Sequence, residues 1–431
     1  MRKINREILA LAIPSIITNI TTPLLALMDV VIVGHLGSAV YIAAIAIGGT
    51  IFNMIYWLFG FLRMGSSGMT AQANGAADKT GCDTVLYRGG LIALIVSLLI
   101  VCLQYPIIRI STAIMDVTGE TAYMAKEYFS ILIWGAPAVL LTYVISGWLL
   151  GMKDAKTPMW ISFIINISNI VVSLVLVIVF KMQIKGVACG TLTAQWIGMI
   201  VGVSFITVRY APVLPDIKRL FKTDELRRFF SVNIDIFLRT LCLIAVTVWF
   251  TRVGASQGTI ILAVNTLLMQ FFILFSYFMD GFAYAGESLA GYYIGARDKH
   301  NLRLCINALF RWGAATAIIF TVIYMLGGTW IMRLLSSEIT VIESSKEYFY
   351  WVIAIPCVGF AAFTWDGIYI GATHTRSMLI SMAIATAIYF IIYNICYEIM
   401  GNHGLWIAFL AYLLSRGGIL TLLRKRIYHN L

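Results

Sequence analysis

The chain has 431 residues, of which 60% are hydrophobic and 12% charged, with a mean hydropathy of +0.89. Water-soluble domains carry about 45–50% apolar and about 25% charged residues, so a large aqueous core is excluded and a bilayer is the expected solvent. The net charge of +11 raises nucleic acid as a partner, but the basic residues sit in short segments between apolar runs, the pattern of a membrane protein, so no nucleic-acid role is expected.

A membrane helix needs about 20 largely apolar residues. On that basis the first predicted span covers 8–33, and five more follow at 42–62, 89–110, 128–151, 158–180 and 186–208. The first run is too long for the apolar core of a cleavable signal, so it is expected to stay as a span. A polar stretch at 211–228, with Pro212, Pro215, Lys218, Arg219, Lys222, Arg227 and Arg228, then breaks the composition near the midpoint. Six further spans are predicted at 229–251, 259–283, 306–332, 348–371, 377–399 and 404–423. The expected fold is an all-α membrane protein of twelve transmembrane helices.

Lys and Arg set the orientation. With both termini on one side, that side collects 21 of these residues and the other seven, leaving out Arg63, Arg239 and Arg416 within or at the edge of spans. Both termini are therefore expected in the cytoplasm of a bacterial cell, with the chain in its inner membrane. The seven cysteines and five histidines are scattered, so neither a disulfide framework, a zinc site nor another cofactor is expected.

An internal repeat runs through the chain. Gly-Ala-Ala-Asp-Lys at 75–79 returns as Gly-Ala-Arg-Asp-Lys at 295–299, an offset of 220. Glu127-Tyr128-Phe129 returns as Glu347-Tyr348-Phe349, and Gly147 and Gly151 return as Gly367 and Gly371, at the same offset. Two six-helix bundles, 1–210 and 229–431, joined by a cytoplasmic linker at 211–228, are expected. An even number of spans per copy relates them by an axis along the membrane normal, with a central cleft that rocking opens to either side.

The run PSIITNITTPLLALMDVVIVGHLG at 14–37 resembles the first helix of the multidrug and toxic compound extrusion transporters, closest to their DinF-like branch. The segments FLRMGSSGMTAQ (61–72), NIDIFLRT (233–240), FMDGFAYAGESLAGYYIGARDK (278–299) and WDGIYIGAT (365–373) carry the likeness across the chain. The resemblance implies two six-helix bundles in a V that export organic cations or other amphipathic compounds in exchange for H⁺ or Na⁺.

Asp29 is the sharpest candidate, the only ionisable residue between Glu7 and His35. A carboxylate in such a span costs about 2.5–3.5 kcal/mol on insertion scales, so it should face a cavity or a partner. Two readings stand: a proton-coupling group, or a structural carboxylate paired with Ser or Asn of a neighbouring helix. By resemblance it matches the family's first-helix aspartate, tied to proton coupling, and Pro14 matches a proline at which that helix bends. A static kink at Pro14 is the other reading. On the fifth span, Asn166, Ser168, Asn169 and Ser173 are polar, with Asn169 and Ser173 four apart on one face. Sodium-coupled relatives commonly show an acid where this chain has Ser173, and Asn169 and Thr191 match accompanying polar positions. The missing acid favours H⁺ over Na⁺, while interhelical hydrogen bonding is the alternative role for Asn169 and Thr191.

The second half brings Asp235, Arg239, Asp280, Glu287 and Asp366 into spans. Asp235 and Arg239, at i and i+4, are placed to pair, and the remaining acids leave negative charge suited to a cationic substrate or a second proton site. A satisfied structural network is the competing reading. Arg63 either pairs with a carboxylate or snorkels to the surface. Enzyme motifs such as HExxH and GxSxG do not occur, so an enzyme is not expected. A lipid or lipid-precursor flippase of the same superfamily is the rival transport function. A monomer is expected, with small-molecule substrates and the lipid bilayer as its partners.

Overall fold

The computed structural model describes residues 1–34, 39–116 and 118–428, with side chains described at all of these but 22, 24–27, 39 and 217. The end of the 14–37 run, from residue 35, lies outside the described residues. Among them there are sixteen α-helices and no strand. The first half contains α1 (Arg2–Gly34), α2 (Ala39–Leu58), α3 (Phe61–Gly75), α4 (Lys79–Cys102), α5 (Gln104–Ile114), α6 (Gly119–Leu132), α7 (Ala136–Gly151), α8 (Lys156–Leu174), α9 (Gln183–Tyr210) and α10 (Ile217–Leu220). The second half contains α11 (Thr223–Ser256), α12 (Thr259–Gly295), α13 (Lys299–Leu335), α14 (Ile339–Gly371), α15 (Thr375–Met400) and α16 (Asn402–Leu422).

Eleven helical segments of the described residues are long and apolar enough to cross a membrane, α2–α3 and α6–α7 each forming one. The first helix, 33 residues long, supplies the twelfth. Helices run beyond the apolar spans read from sequence because polar end turns continue them: α12 reaches Gly295, past the predicted 283. Exposed Leu98, Ile178 and Leu326, all more than half accessible, are the lipid-facing side chains that a bilayer rather than water would cover.

The repeat is visible in the packing. A side chain at Gly147 would collide with the carbonyl of Arg63, and one at Gly367 with the carbonyl of Ala283. One turn on, a Cβ at Gly151 would lie 2.8 Å from Ser67 O and 2.9 Å from Ala71 N, and one at Gly371 would lie 2.9 Å from Gly291 N. All these pairs keep the offset of 220, so α3 meets α7 as α12 meets α14, backbone to backbone. The corners repeat as well. Ala77 and Arg297 both have φ of +55, and Asp78 and Asp298 cap the next helices by accepting from the N–H of Gly81 and Asn301.

By their packing the residues form two compact units, Ile17–Arg228 and Met1–Ile16 with Phe229–Leu431. The bounds differ from the 1–210 and 229–431 division at two places. The start of α1 joins the second unit, where Tyr293 donates to Glu7 at 3.0 Å and Trp312 to Asn5 at 3.3 Å. The 211–228 segment is strapped to the first unit. Buried Arg88 donates to the carbonyls of Leu220 (3.1 Å) and Arg219 (3.0 Å) and to Glu225 (3.1 Å), while Asp83 accepts from the Val213 N–H and Tyr87 donates to Pro212 O.

Candidate functional site

In the first unit, polar side chains from three helices meet inside an apolar core. Small residues make the meeting possible. Gly190 of α9 packs so closely on α8 that a Cβ there would lie 2.8 Å from Ser173 Cα and collide with its hydroxyl. Thr191, the next residue, is thereby brought beside Asn169, whose amide Nδ2 donates to Thr191 Oγ1 at 2.8 Å. Both face Asp29 of α1. Asn169 Nδ2 lies 3.2 Å from Asp29 Oδ1, and Thr191 Oγ1 lies 3.1 Å from Oδ2. All three residues are buried, Asp29 with 3% exposure. Tyr128 lies alongside Asp29 and Thr191, its ring pressed against Gly48.

Two oxygens of this group, Asn169 Oδ1 and Ser173 Oγ, are buried with no hydrogen-bond partner. The Thr191 hydroxyl has one proton and two acceptors in reach, Asp29 and the carbonyl of Val187 at 3.1 Å. Among the described residues no basic side chain pairs with Asp29. The chain just beyond is also irregular: α8 passes into a π-helical turn at Val175–Val179, a local feature frequent at functional sites. Asn166 ties α8 to α1 by donating to Thr21 O at 3.1 Å. The sequence candidates Asp29, Asn169, Ser173 and Thr191 therefore come together, whereas Pro14 sits about four turns away on α1, buried in the other unit. Arg63 is half-buried beside Tyr143.

The second unit corrects the charge pattern expected there. Asp235 does not take Arg239, its neighbour one turn on. It accepts from Thr375 Oγ1 at 3.1 Å and pairs with Arg376 at 3.4 Å, both in the first turn of α15, where a helix N-terminus favours a carboxylate. Arg239 turns instead to Asp366 at 2.5 Å, and Arg416 binds the same oxygen of Asp366. Asp235 and Asp366 are thus not unpaired negative charges. Asp280 is half-buried beside Tyr277, and Glu287 is buried. Arg416 escaped sequence reasoning because an arginine near the end of a span reads as a snorkelling residue. The neighbouring Gly417 packs closely on α14, where a Cβ would lie 3.0 Å from Ala362 N.

The MatE family model matches residues 14–175 and 233–396, one match in each half. DNA damage-inducible protein F of Escherichia coli (strain K12) is 35% identical over 422 residues, 97% of this chain and 92% of that protein. Multidrug resistance protein MdtK of Edwardsiella ictaluri (strain 93-146) is 25% identical, with 98% of this chain and 95% of that protein covered. The fold matches a crystal structure of MATE in the bent conformation with a TM-score of 0.89 at 20% identity, covering 99% of this chain and 96% of that one. An outward-facing multidrug resistance MATE family transporter matches equally well, with a TM-score of 0.89 at 21% identity and the same coverage. With both halves matched and one relative aligned along nearly its whole length, the chain belongs to the MatE family of multi-pass membrane transporters.

Proposed function

We propose that the protein is a secondary active antiporter that exports small amphipathic organic compounds, cations among them, in exchange for protons by alternating access. One observation carries the reading: among the described residues, Asp29 is buried with neutral partners only. A carboxylate held by a buried arginine cannot be protonated without stranding that charge. Asn169 and Thr191 impose no such penalty, so Asp29 is free to exist in both forms. When it is ionised, Thr191 donates to it. When it is protonated, it donates in turn and the Thr191 hydroxyl rotates to donate to Val187 O. The ionised form offers a negative charge to a cationic group, and protonation withdraws it.

Proton coupling is favoured over sodium because the oxygen set around Asp29 holds one carboxylate, with Ser173 where sodium-using relatives commonly show an acid. A hard cation gains most from charged oxygens, so the set suits a proton better. The names of MdtK and of the outward-facing structural neighbour support multidrug export as the substrate range. The inner membrane is the proposed location, with both termini cytoplasmic. Reconstituted protein should export ethidium under an imposed pH gradient without sodium. Export that requires a sodium gradient at fixed pH gradient would overturn the proton assignment.

A further inference from the structure

Arg239 of α11 and Arg416 of α16 converge on a single oxygen of Asp366 in α14. All three are buried, at 7%, 4% and 7% exposure. Two positive charges therefore meet one negative. Among the described residues neither arginine has a second acidic partner, since Arg376 serves Asp235. The Nε of each arginine is buried without a hydrogen-bond acceptor. Phe363 and Tyr412 stand against Arg416, with ring centres 5.6 and 5.9 Å from its guanidinium carbon.

A lone buried charge and two unmet N–H donors are both costly, and a folded protein pairs such groups unless something else occupies them. We infer that the trio is a binding site for one anionic group, the carboxylate or phosphate of an amphipathic molecule or a small free anion. The inference rests on the transport reading above and adds compounds with an acidic group to its substrates. A single negative charge neutralises the trio, and each free Nε–H offers it a charge-assisted hydrogen bond. The Phe363 and Tyr412 rings supply an apolar wall for the body of such a compound. The Arg239 and Asp366 side chains keep 8% and 10% exposure, against 4% for Arg416. Asp366 holds the two guanidinium groups in place and reduces their net charge to one, so that a bound anion can also leave.

The experiment compares equilibrium binding of pyrenebutyrate and its uncharged methyl ester to purified protein in nanodiscs, with no ion gradient. The native protein should bind the acid at least tenfold tighter than the ester. Arg416→Gln should remove that preference, since it leaves a neutral Arg239–Asp366 pair, and Asp366→Asn should enlarge it. A structural trio predicts something different: both variants lose thermal stability and the acid-to-ester ratio stays as in the native protein, which would overturn the site. If Arg416→Gln does not fold, the near-isosteric Asp366→Asn decides alone, an unchanged ratio again refuting it. Displacement of pyrenebutyrate by millimolar chloride would support a small inorganic anion as occupant, and resistance to chloride with tenfold acid preference would support the organic one. Proton-driven export is read in separate proteoliposomes, so loss of coupling there leaves the binding ratio standing, and an absent ratio leaves the coupling standing.

Discussion

Thr191 points its hydroxyl at the Asp29 carboxylate from across the α1–α9 boundary, 3.1 Å from Oδ2, while staying within 3.1 Å of its own helix's Val187 carbonyl. The hydroxyl can thus follow the carboxyl through a change of protonation without moving. Asp29→Asn fixes the neutral form at almost unchanged shape. It should fold, bind ethidium more weakly at neutral pH, and lose the pH dependence of export in proteoliposomes. Thr191→Val removes the donor but keeps the volume, and should shift the pH profile of export rather than abolish it. An Asp29→Asn protein with the native rate and native profile would make Asp29 structural.

Arg88 and Glu225 form an ion pair whose two ends should behave unequally. Arg88 is buried and also holds two backbone carbonyls at the end of α10, whereas Glu225 is partly exposed. Hydrogen bonds to a charged group contribute about 1.5–3 kcal/mol, and a half-exposed pair about 0–1. Arg88→Ala should lower the thermal transition by several degrees, and Glu225→Ala should barely move it, as read by scanning fluorimetry in detergent.

Ala77 and Arg297 occupy the left-handed region, where a side chain costs about 1–2 kcal/mol relative to a conformation open to any residue. Ala77→Gly and Arg297→Gly should each raise the thermal stability slightly, by about 0.5–1 kcal/mol after the entropy lost from the unfolded chain. Equal gains at the two sites would follow from their equivalence in the repeat, and a loss at either would show that the corner is held by side-chain contacts.

The strap at 211–228 offers a test of orientation. Val213 is well exposed, and a cysteine there in a cysteine-free background should react with an impermeant maleimide only after the cytoplasmic face is opened. Labelling of intact spheroplasts would invert the proposed topology.

Much of the fold was legible because membrane spans write themselves as apolar runs and the repeat as matched words at one offset. The twelve spans and the Gly147 and Gly367 pair followed from that. Other features depend on tertiary neighbours and were not legible. The break of α2 from α3 near Gly60 and the π turn after Ser173 leave no composition signal. Asp29 stood out as a lone charge, but only folding brings the neutral Asn169 and Thr191 to it. The opposite holds at Asp235 and Arg239: their spacing suggested each other, yet a nearby helix start and a distant carboxylate outcompeted the local pair.

The glycines at 147, 151, 367 and 371 have an evolutionary consequence. A duplicated membrane gene must keep its helices joined while its copies diverge, and these four positions do the joining largely with backbone. Positions outside such shared contacts were at liberty to change their chemistry. One half came to hold Asp29 beside an amide and a hydroxyl, and the other two guanidinium groups on one carboxylate. The ancestral frame survived as four absent side chains, and the two copies became different instruments without becoming different folds.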